Sequence, residues 1–171
     1  LKSRLCIEGN RLLYAWCRDR NVPHRRIGKL IVATNDGEAA DLERIRDNAA
    51  ANGVEGLTLL GRAEIRQHEP DVAARAALLS PNTGIIDSHR LMGSLLDAAK
   101  AQGAILACRT EVTALCFDGK SWELTLNKGE YRIRTRTVIN SAGLVADRVA
   151  ALAGIDIESR DWLLKPCKGC Y

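Results

Sequence analysis

The amino-acid sequence predicts a protein of the α/β class, in its mixed α+β form, on three observations. Apolar residues recur at helical spacing in three long segments, residues 3–20, 88–102 and 144–154. Short apolar runs bounded by turn residues lie between the first two segments and indicate buried strands. Apolar and polar residues alternate within residues 111–135, which predicts a three-stranded antiparallel meander.

The first helix is amphipathic, and the residues that recur at helical spacing on its apolar face are Leu5, Gly9, Leu12, Leu13, Trp16 and Cys17. The stretch 21–23 ends it, because the residue before a proline avoids helical backbone angles. Residues 28–34 then read as a buried strand.

A turn at residues 35–37 leads into a charged helix, which Gly53 closes. Further along the first half we expect short elements: an extended segment at 56–60, a helical turn or two at 61–69, and extended segments at 76–80 and 85–86. Asp87 and Ser88 supply an N-cap for the helix at 88–102, and capping accounts for both residues without a catalytic role.

The second half begins with an apolar strand at 104–107. Asp118-Gly119 is the first hairpin turn of the meander, and 127–129 is the second. A short buried strand at 137–140 then runs into the small-residue junction Ser141-Ala142-Gly143, from which the last helix starts.

Composition limits the function classes. The chain has 171 residues, a net charge of +4 spread along its length, and 46% apolar residues, so a nucleic-acid footprint is not expected. No apolar run approaches the roughly 20 residues that span a bilayer, so we expect no transmembrane segment. The chain starts at Leu1 rather than Met, and both ends interrupt a structural pattern, so we expect an internal piece of a longer protein.

Six cysteines occur in a chain without a secretory signal, which favours buried free thiols over disulfides. Only Cys167 and Cys170 have C-x-x-C spacing, which would suit half a zinc site or a redox pair. No second ligand pair completes a zinc site, so we predict no metal. His24, Arg25 and Arg26 could face an anionic substrate, but an exposed basic loop is the favoured interpretation.

Four segments together carry a family resemblance: residues 1–10 (LKSRLCIEGN), 28–33 (GKLIVA), 80–89 (SPNTGIIDSH) and 138–144 (VINSAGL). They resemble segments of the flavin-dependent oxidoreductases of the D-amino-acid oxidase type, and the likeness covers nearly the whole chain. The family's G-x-G-x-x-G fingerprint is absent from this sequence, and Ser141 stands where alanine is commoner in the family.

The resemblance implies FAD as the cofactor and a small 2-hydroxy acid as the substrate, with L-2-hydroxyglutarate favoured. A glycerol-3-phosphate or amino-acid oxidising relative is the alternative, and so is a non-catalytic globular fragment that cannot bind FAD alone. Quinone or oxygen is the implied electron acceptor. We expect the protein to be cytoplasmic, with peripheral attachment to the inner membrane as the alternative.

The resemblance also implies site residues. Val112 matches a strand position whose backbone contacts the adenine ring, and Ser141, Ala142 and Gly143 match the turn near the pyrophosphate and ribityl chain. A small-residue turn before a helix suits close approach of a phosphate, although a packing turn has the same composition. Lys168 and Tyr171 match positions along the substrate pocket. The catalytic base is not identified.

The implied domain division alternates along the chain, with a cofactor-domain helix first. The remaining segments are a substrate-domain part, a second cofactor-domain part that includes the meander, and the start of a second substrate-domain segment. In order, the four ranges are 1–20, 21–85, 86–155 and 156–171.

Overall fold

The computed structural model describes residues 2–167, and the chain divides into two compact units, Leu1–Ala104 and Ile105–Tyr171. The helices are α1 (Lys2–Asp19), α2 (Asp36–Ala51), α3 (Arg62–His68), α4 (Ser88–Ala101) and α5 (Ala146–Leu152). The strands are β1 (His24–Arg26), β2 (Lys29–Ala33), β3 (Thr58–Gly61), β4 (Ala76–Ser80), β5 (Gly84–Ile86), β6 (Val112–Phe117), β7 (Trp122–Leu126) and β8 (Tyr131–Thr135). Two 3-10 turns span Asn127–Gly129 and Gly143–Val145.

The first unit is built on an antiparallel sheet in the order β2-β4-β3. Central strand β4 carries Ala77 and Leu78, which are fully buried. Leu42 of α2 packs with Leu78 on one cluster, and Ile65 of α3 packs with Ala77 on another. Helices α2 and α3 therefore pack against the sheet. The order of these helices and strands is the one predicted from the sequence.

Helix α2 begins where the sequence places its turn. The Asn35 side chain caps it by accepting a hydrogen bond from the Glu38 amide at 3.0 Å. The Glu38 carboxylate in turn accepts from the Thr34 amide at 2.7 Å and the Thr34 hydroxyl at 2.8 Å. Those hydrogen bonds hold the pKa of Glu38 below its ordinary value.

The basic segment after α1 is a strand and not a loop. β1 pairs antiparallel with β5, with His24 opposite Ile86. The Arg26 guanidinium lies 4.2 Å from the centre of the Tyr14 ring, a cation–π contact. The Tyr14 hydroxyl donates to the Asn82 carbonyl at 3.3 Å. Arg25 and Arg26 are nevertheless exposed, as expected.

Helix α1 buries only the C-terminal part of its predicted apolar face, where Cys17 is buried and Trp16 is half-buried. Tyr14 and Cys17 are its buried residues, whereas Leu5 and Leu12 are 54% and 51% exposed. Residues 14 and 17 are three apart, so they share one face that packs within the first unit. The predicted pattern contained Cys17 but not Tyr14, and spacing alone did not show that its leucines are exposed.

The prediction of buried thiols is correct for Cys17 and wrong for Cys6, Cys108 and Cys116, which are exposed. Burial raises the pKa of the Cys17 thiol. Along β6 successive side chains alternate between faces, so burying Leu115 turns Cys116 outward. The Cys167–Cys170 pair lies partly outside the described residues, and residues 2–167 contain no cluster able to hold a metal ion.

The second unit contains the predicted meander, in the order β6-β7-β8 with antiparallel pairing. The Asp118 carboxylate accepts from the amides of Lys120 at 2.9 Å and Ser121 at 2.8 Å. It also forms an ion pair with Arg134. The first hairpin turn is thereby joined to the third strand of its own sheet.

Two predicted strands of the second unit do not form. Residues 104–107 and 137–140 are irregular, and Ile105 and Ile139 are 92% and 84% exposed. A strand needs a neighbour to complete its hydrogen bonds, and no described strand pairs with either segment. The last predicted helix also starts later, because the 3-10 turn precedes the seven residues of α5.

Among residues 2–167, no helix is long and apolar enough to cross a bilayer.

Gly84→Ala should destabilise the first unit by about 1–3 kcal/mol, in the range of overpacked sites. An added Cβ would overlap the Tyr14 hydroxyl and the Arg25 carbonyl oxygen of the paired strand. Gly93→Ala is the control, because no atom lies within 4 Å of the position of an added Cβ in α4. Its free energy of unfolding should rise by about 0.5–1 kcal/mol. Urea unfolding measures both, and equal free energies of unfolding for the two variants would contradict the packing at Gly84.

Asp118→Asn should remove an acid-sensitive part of the stability of the second unit. Amide hydrogen bonds and Arg134 lower the pKa of Asp118 to about 2 in the folded chain. Its stabilisation is therefore present above the unfolded pKa near 4 and is lost as the pH falls through about 2. Thermal unfolding between pH 5 and 2 should show that the melting temperature falls more steeply with decreasing pH in the parent than in the variant. Asp97→Asn, exposed on α4, should keep the parent's pH dependence.

Candidate cofactor site

The second unit has an open-sided cavity of about 560 Å³ between the start of β6, residues 138–142 and one side of α5. Apolar side chains form most of its wall, among them Leu115, Leu124 and Val149. The side chains of Glu111, Asn140 and Arg148 add polar and charged groups. A mostly apolar wall with a few polar groups is typical of cofactor sites.

Val112 lies on this wall, at the start of edge strand β6. The register with β7 shifts between Val112 and Ala114, so Thr113 forms a bulge whose hydroxyl donates to the Thr125 carbonyl at 3.2 Å. Bulges re-aim a strand next to binding sites. One edge of β6 has no neighbour among the described strands, so backbone groups along it are available to a ligand.

A reciprocal contact holds the start of β6. The Glu111 amide donates to Asn127 Oδ1 at 2.9 Å, and the Asn127 amide donates to the Glu111 carbonyl at 2.9 Å. Asn127 has a φ of 49°, which asparagine tolerates better than most residues. The second turn of the meander thus fixes the backbone directly before Val112.

The small-residue turn lies opposite this strand. Ser141 and Ala142 line the cavity, and Gly143 follows them without lining it. Gly143 has a φ of +58°, and no atom lies within 4 Å of its Cβ position. Glycine is therefore favoured at this position by the positive φ and not by a close packing contact.

Asn140 holds the turn from both sides. Its Oδ1 accepts from the Ala142 amide at 3.2 Å, and its Nδ2 donates to the Ala146 carbonyl at 2.7 Å. The side chain therefore ties the turn to the first residue of α5. Sequence analysis missed this role, although an asparagine directly before a small-residue turn is a usual signal of such a contact.

Arg148 is the cationic group of the cavity. It shares one face of α5 with Val149 and Leu152, both of which also line the cavity. Within residues 2–167 its guanidinium has no carboxylate partner. Sequence analysis missed Arg148 too, and the available signal was an arginine within the apolar spacing of the last helix.

The structure thus brings three predicted site residues, Val112, Ser141 and Ala142, to one cavity. Gly143 shapes the turn beside it. Lys168 and Tyr171 lie outside the described residues, so their predicted roles stay predictions. The predicted approach of a phosphate to the turn before the last helix also stays a prediction.

Comparison with known proteins identifies the family. The model of the FAD dependent oxidoreductases, DAO, matches residues 1–171. The mitochondrial L-2-hydroxyglutarate dehydrogenase of Pongo abelii is 31% identical over 188 residues, covering 100% of this chain and 45% of that protein. The chain therefore spans less than half the length of this relative.

Solved structures agree on the fold. The L-proline dehydrogenase of P. horikoshii superposes with a TM-score of 0.80 at 24% identity, covering 90% of this chain and 41% of that one. The FAD-bound L-alpha-glycerophosphate oxidase of Mycoplasma pneumoniae gives a TM-score of 0.71 at 28% identity, covering 79% and 37%. These results confirm the predicted fold class and cofactor, and the chain belongs to the FAD dependent oxidoreductase family of the DAO type.

Proposed function

We propose that this chain is part of a FAD-dependent dehydrogenase that oxidises a small 2-hydroxy acid, L-2-hydroxyglutarate, to the 2-oxo acid. The observation that carries the proposal is the cavity on which Val112, Ser141 and Ala142 converge with Arg148. Relatives named L-2-hydroxyglutarate dehydrogenase, at 31% identity in Pongo abelii and 29% in Salmonella houtenae, support the substrate.

The residues of the cavity fit the adenine and phosphate parts of FAD. The free edge of β6 offers backbone donors and acceptors to an adenine ring at Val112. The small side chains of Ser141 and Ala142 leave room for close backbone approach. The guanidinium of Arg148 carries the positive charge that a pyrophosphate requires. When bound, FAD supplies the chemistry of accepting a hydride from the carbon that bears the hydroxyl.

Within this proposal the segments take the roles given by the family resemblance. Residues 1–20 and 86–155 belong to the cofactor domain, and 21–85 and 156–171 to the substrate domain. Gly143 keeps the turn beside the pyrophosphate and ribityl chain, and Lys168 and Tyr171 contact the substrate. Quinone or oxygen takes the electrons.

A second candidate is an enzyme of the same family that oxidises glycerol 3-phosphate or an amino acid. The likeness to the L-alpha-glycerophosphate oxidase at 28% identity favours it. The two candidates share the cofactor cavity and differ in the acid or phosphate ester that reduces the flavin. A substrate panel therefore separates them.

The cofactor assignment is tested by titrating the chain with FAD and following flavin fluorescence. Arg148→Gln should weaken FAD binding about tenfold, which is about 1.4 kcal/mol, because a charge-assisted contact to the pyrophosphate is lost. Adenosine, which keeps the adenine and lacks the phosphates, should bind both proteins equally. Arg136→Gln is the matched control, since Arg136 is exposed in the same unit and does not line the cavity.

Equal FAD affinity in Arg148→Gln and the parent would contradict the role of Arg148. Absence of FAD binding by the parent chain would support the alternative of a fragment that cannot bind the cofactor alone. The substrate is tested in the full-length protein by anaerobic bleaching of the flavin band. L-2-hydroxyglutarate should bleach it, and its D-enantiomer should not. Bleaching by glycerol 3-phosphate or an amino acid alone would favour the second candidate.

Asn140→Ala should loosen the turn, because it removes both hydrogen bonds that hold Ala142 and Ala146. We expect a loss of about 1 kcal/mol of unfolding free energy and faster amide exchange at Ala142. Asn140→Asp keeps the oxygen that accepts from the Ala142 amide, so the exchange rate there should stay close to that of the parent. Unchanged exchange in Asn140→Ala would contradict the positioning role.

A further inference from the structure

The first unit holds a second cavity, of about 300 Å³, at one end of its sheet. In the register of the sheet, Ala76 lies opposite both Ala33 and Gly61. The residues adjoining these three positions are Thr34, Arg62 and Arg75, and all three line the cavity. The pairing of β4 with both neighbours therefore places two arginines and a threonine around one opening.

A third arginine joins them through the helix. Arg66 lies four residues after Arg62 on α3, so the two side chains share one face, and Arg66 also lines the cavity. Like charges at this spacing repel each other, which is unfavourable unless an anion lies between them. Three arginines thus line one small, open cavity.

Of the nearby carboxylates, one pairs with Arg75, but Arg62 and Arg66 are left without a counter-ion within residues 2–167. Asp36 pairs with Arg75 at 2.7 Å, Glu38 accepts from Thr34, and Glu64 accepts from the Gly61 amide at 2.7 Å. Among the described residues, no ion pair involves Arg62 or Arg66. The remaining carboxylates of the segment, Glu69 and Asp71, pair with neither of them.

We propose that this cavity binds a compact dianionic oxyanion, held by the guanidiniums of Arg62 and Arg66. A guanidinium binds carboxylate and phosphate oxygens in bidentate fashion, which suits phosphate or a short dicarboxylate equally. Val72, Ala73 and Ala74 complete the lining. The site shares no residue with the cofactor cavity and does not depend on the proposed function.

The test measures the melting temperature of the full chain at constant ionic strength, with sodium chloride replaced stepwise by phosphate or by glutarate. We expect a saturable rise with at least one dianion, and the ratio of the two affinities tells phosphate from dicarboxylate. The double variant Arg62→Gln/Arg66→Gln should weaken binding at least tenfold. Arg44→Gln is the control, because Arg44 is exposed on α2, pairs with Asp41 and does not line the cavity.

Arg62→Lys/Arg66→Lys keeps the charges and removes the planar fork, so its affinity should lie between those of the parent and the double glutamine variant. Far-ultraviolet circular dichroism checks that each variant is folded. If the double glutamine variant does not fold, the double lysine variant is compared with the parent instead. Two results would overturn the proposal: no saturable response to either dianion, or equal affinity in the parent and the variants. FAD binding, followed by flavin fluorescence, should be the same in all of them.

Discussion

The pairing of β4 on both edges is the constraint on which the first unit depends. Each backbone group of a central strand has a ladder partner, and the side chains of Ala77 and Leu78 are completely buried. A shift of one residue would move Leu78 from the cluster with Leu42 to the opposite face. The same register sets Thr34, Arg62 and Arg75 around the second cavity, so the packing of the core and the placement of the arginines have one cause.

The second unit uses the opposite property, a strand with a free edge. β6 is paired with β7 alone, and its bulge lies directly beside Val112. An unpaired edge is a liability for aggregation unless it is covered. Binding the edge of an adenine ring would satisfy the exposed backbone groups there. The feature that makes β6 less stable than a central strand also makes it suitable for a cofactor.

Local signals in the sequence predicted much of this architecture. Asn35 and Asp87 cap the helices that follow them, and the turn at Asp118-Gly119 sets the meander. These predictions succeed because caps and hairpin turns depend on neighbouring residues only. Val112, Ser141 and Ala142 came from a family resemblance, and the structure places them on one cavity.

The failures concern properties that depend on partners distant in sequence. Residues 104–107 and 137–140 have strand-like composition but no strand beside them. Cys116 has the composition of a core residue but faces outward, because the register of β6 turns Leu115 inward. Asn140 and Arg148 were missed because their roles depend on contacts that the linear sequence does not display. Asn140 contacts two backbone groups, and Arg148 lines a cavity.

The arginines show how pairing separates structural from functional charge. Arg75 and Arg134 each meet a carboxylate and tie one element to another. Arg148 lines a cavity with no carboxylate partner among the described residues, as Arg62 and Arg66 do in the other unit. All three residues are exposed, so their guanidiniums are hydrated and open to an oxyanion, which they can bind through paired hydrogen bonds. Lack of a carboxylate partner is not enough by itself, since Arg136 also has none among the described residues but lines neither cavity. The position of Arg148, Arg62 and Arg66 on a cavity, together with the lack of a partner, is what indicates an anionic ligand.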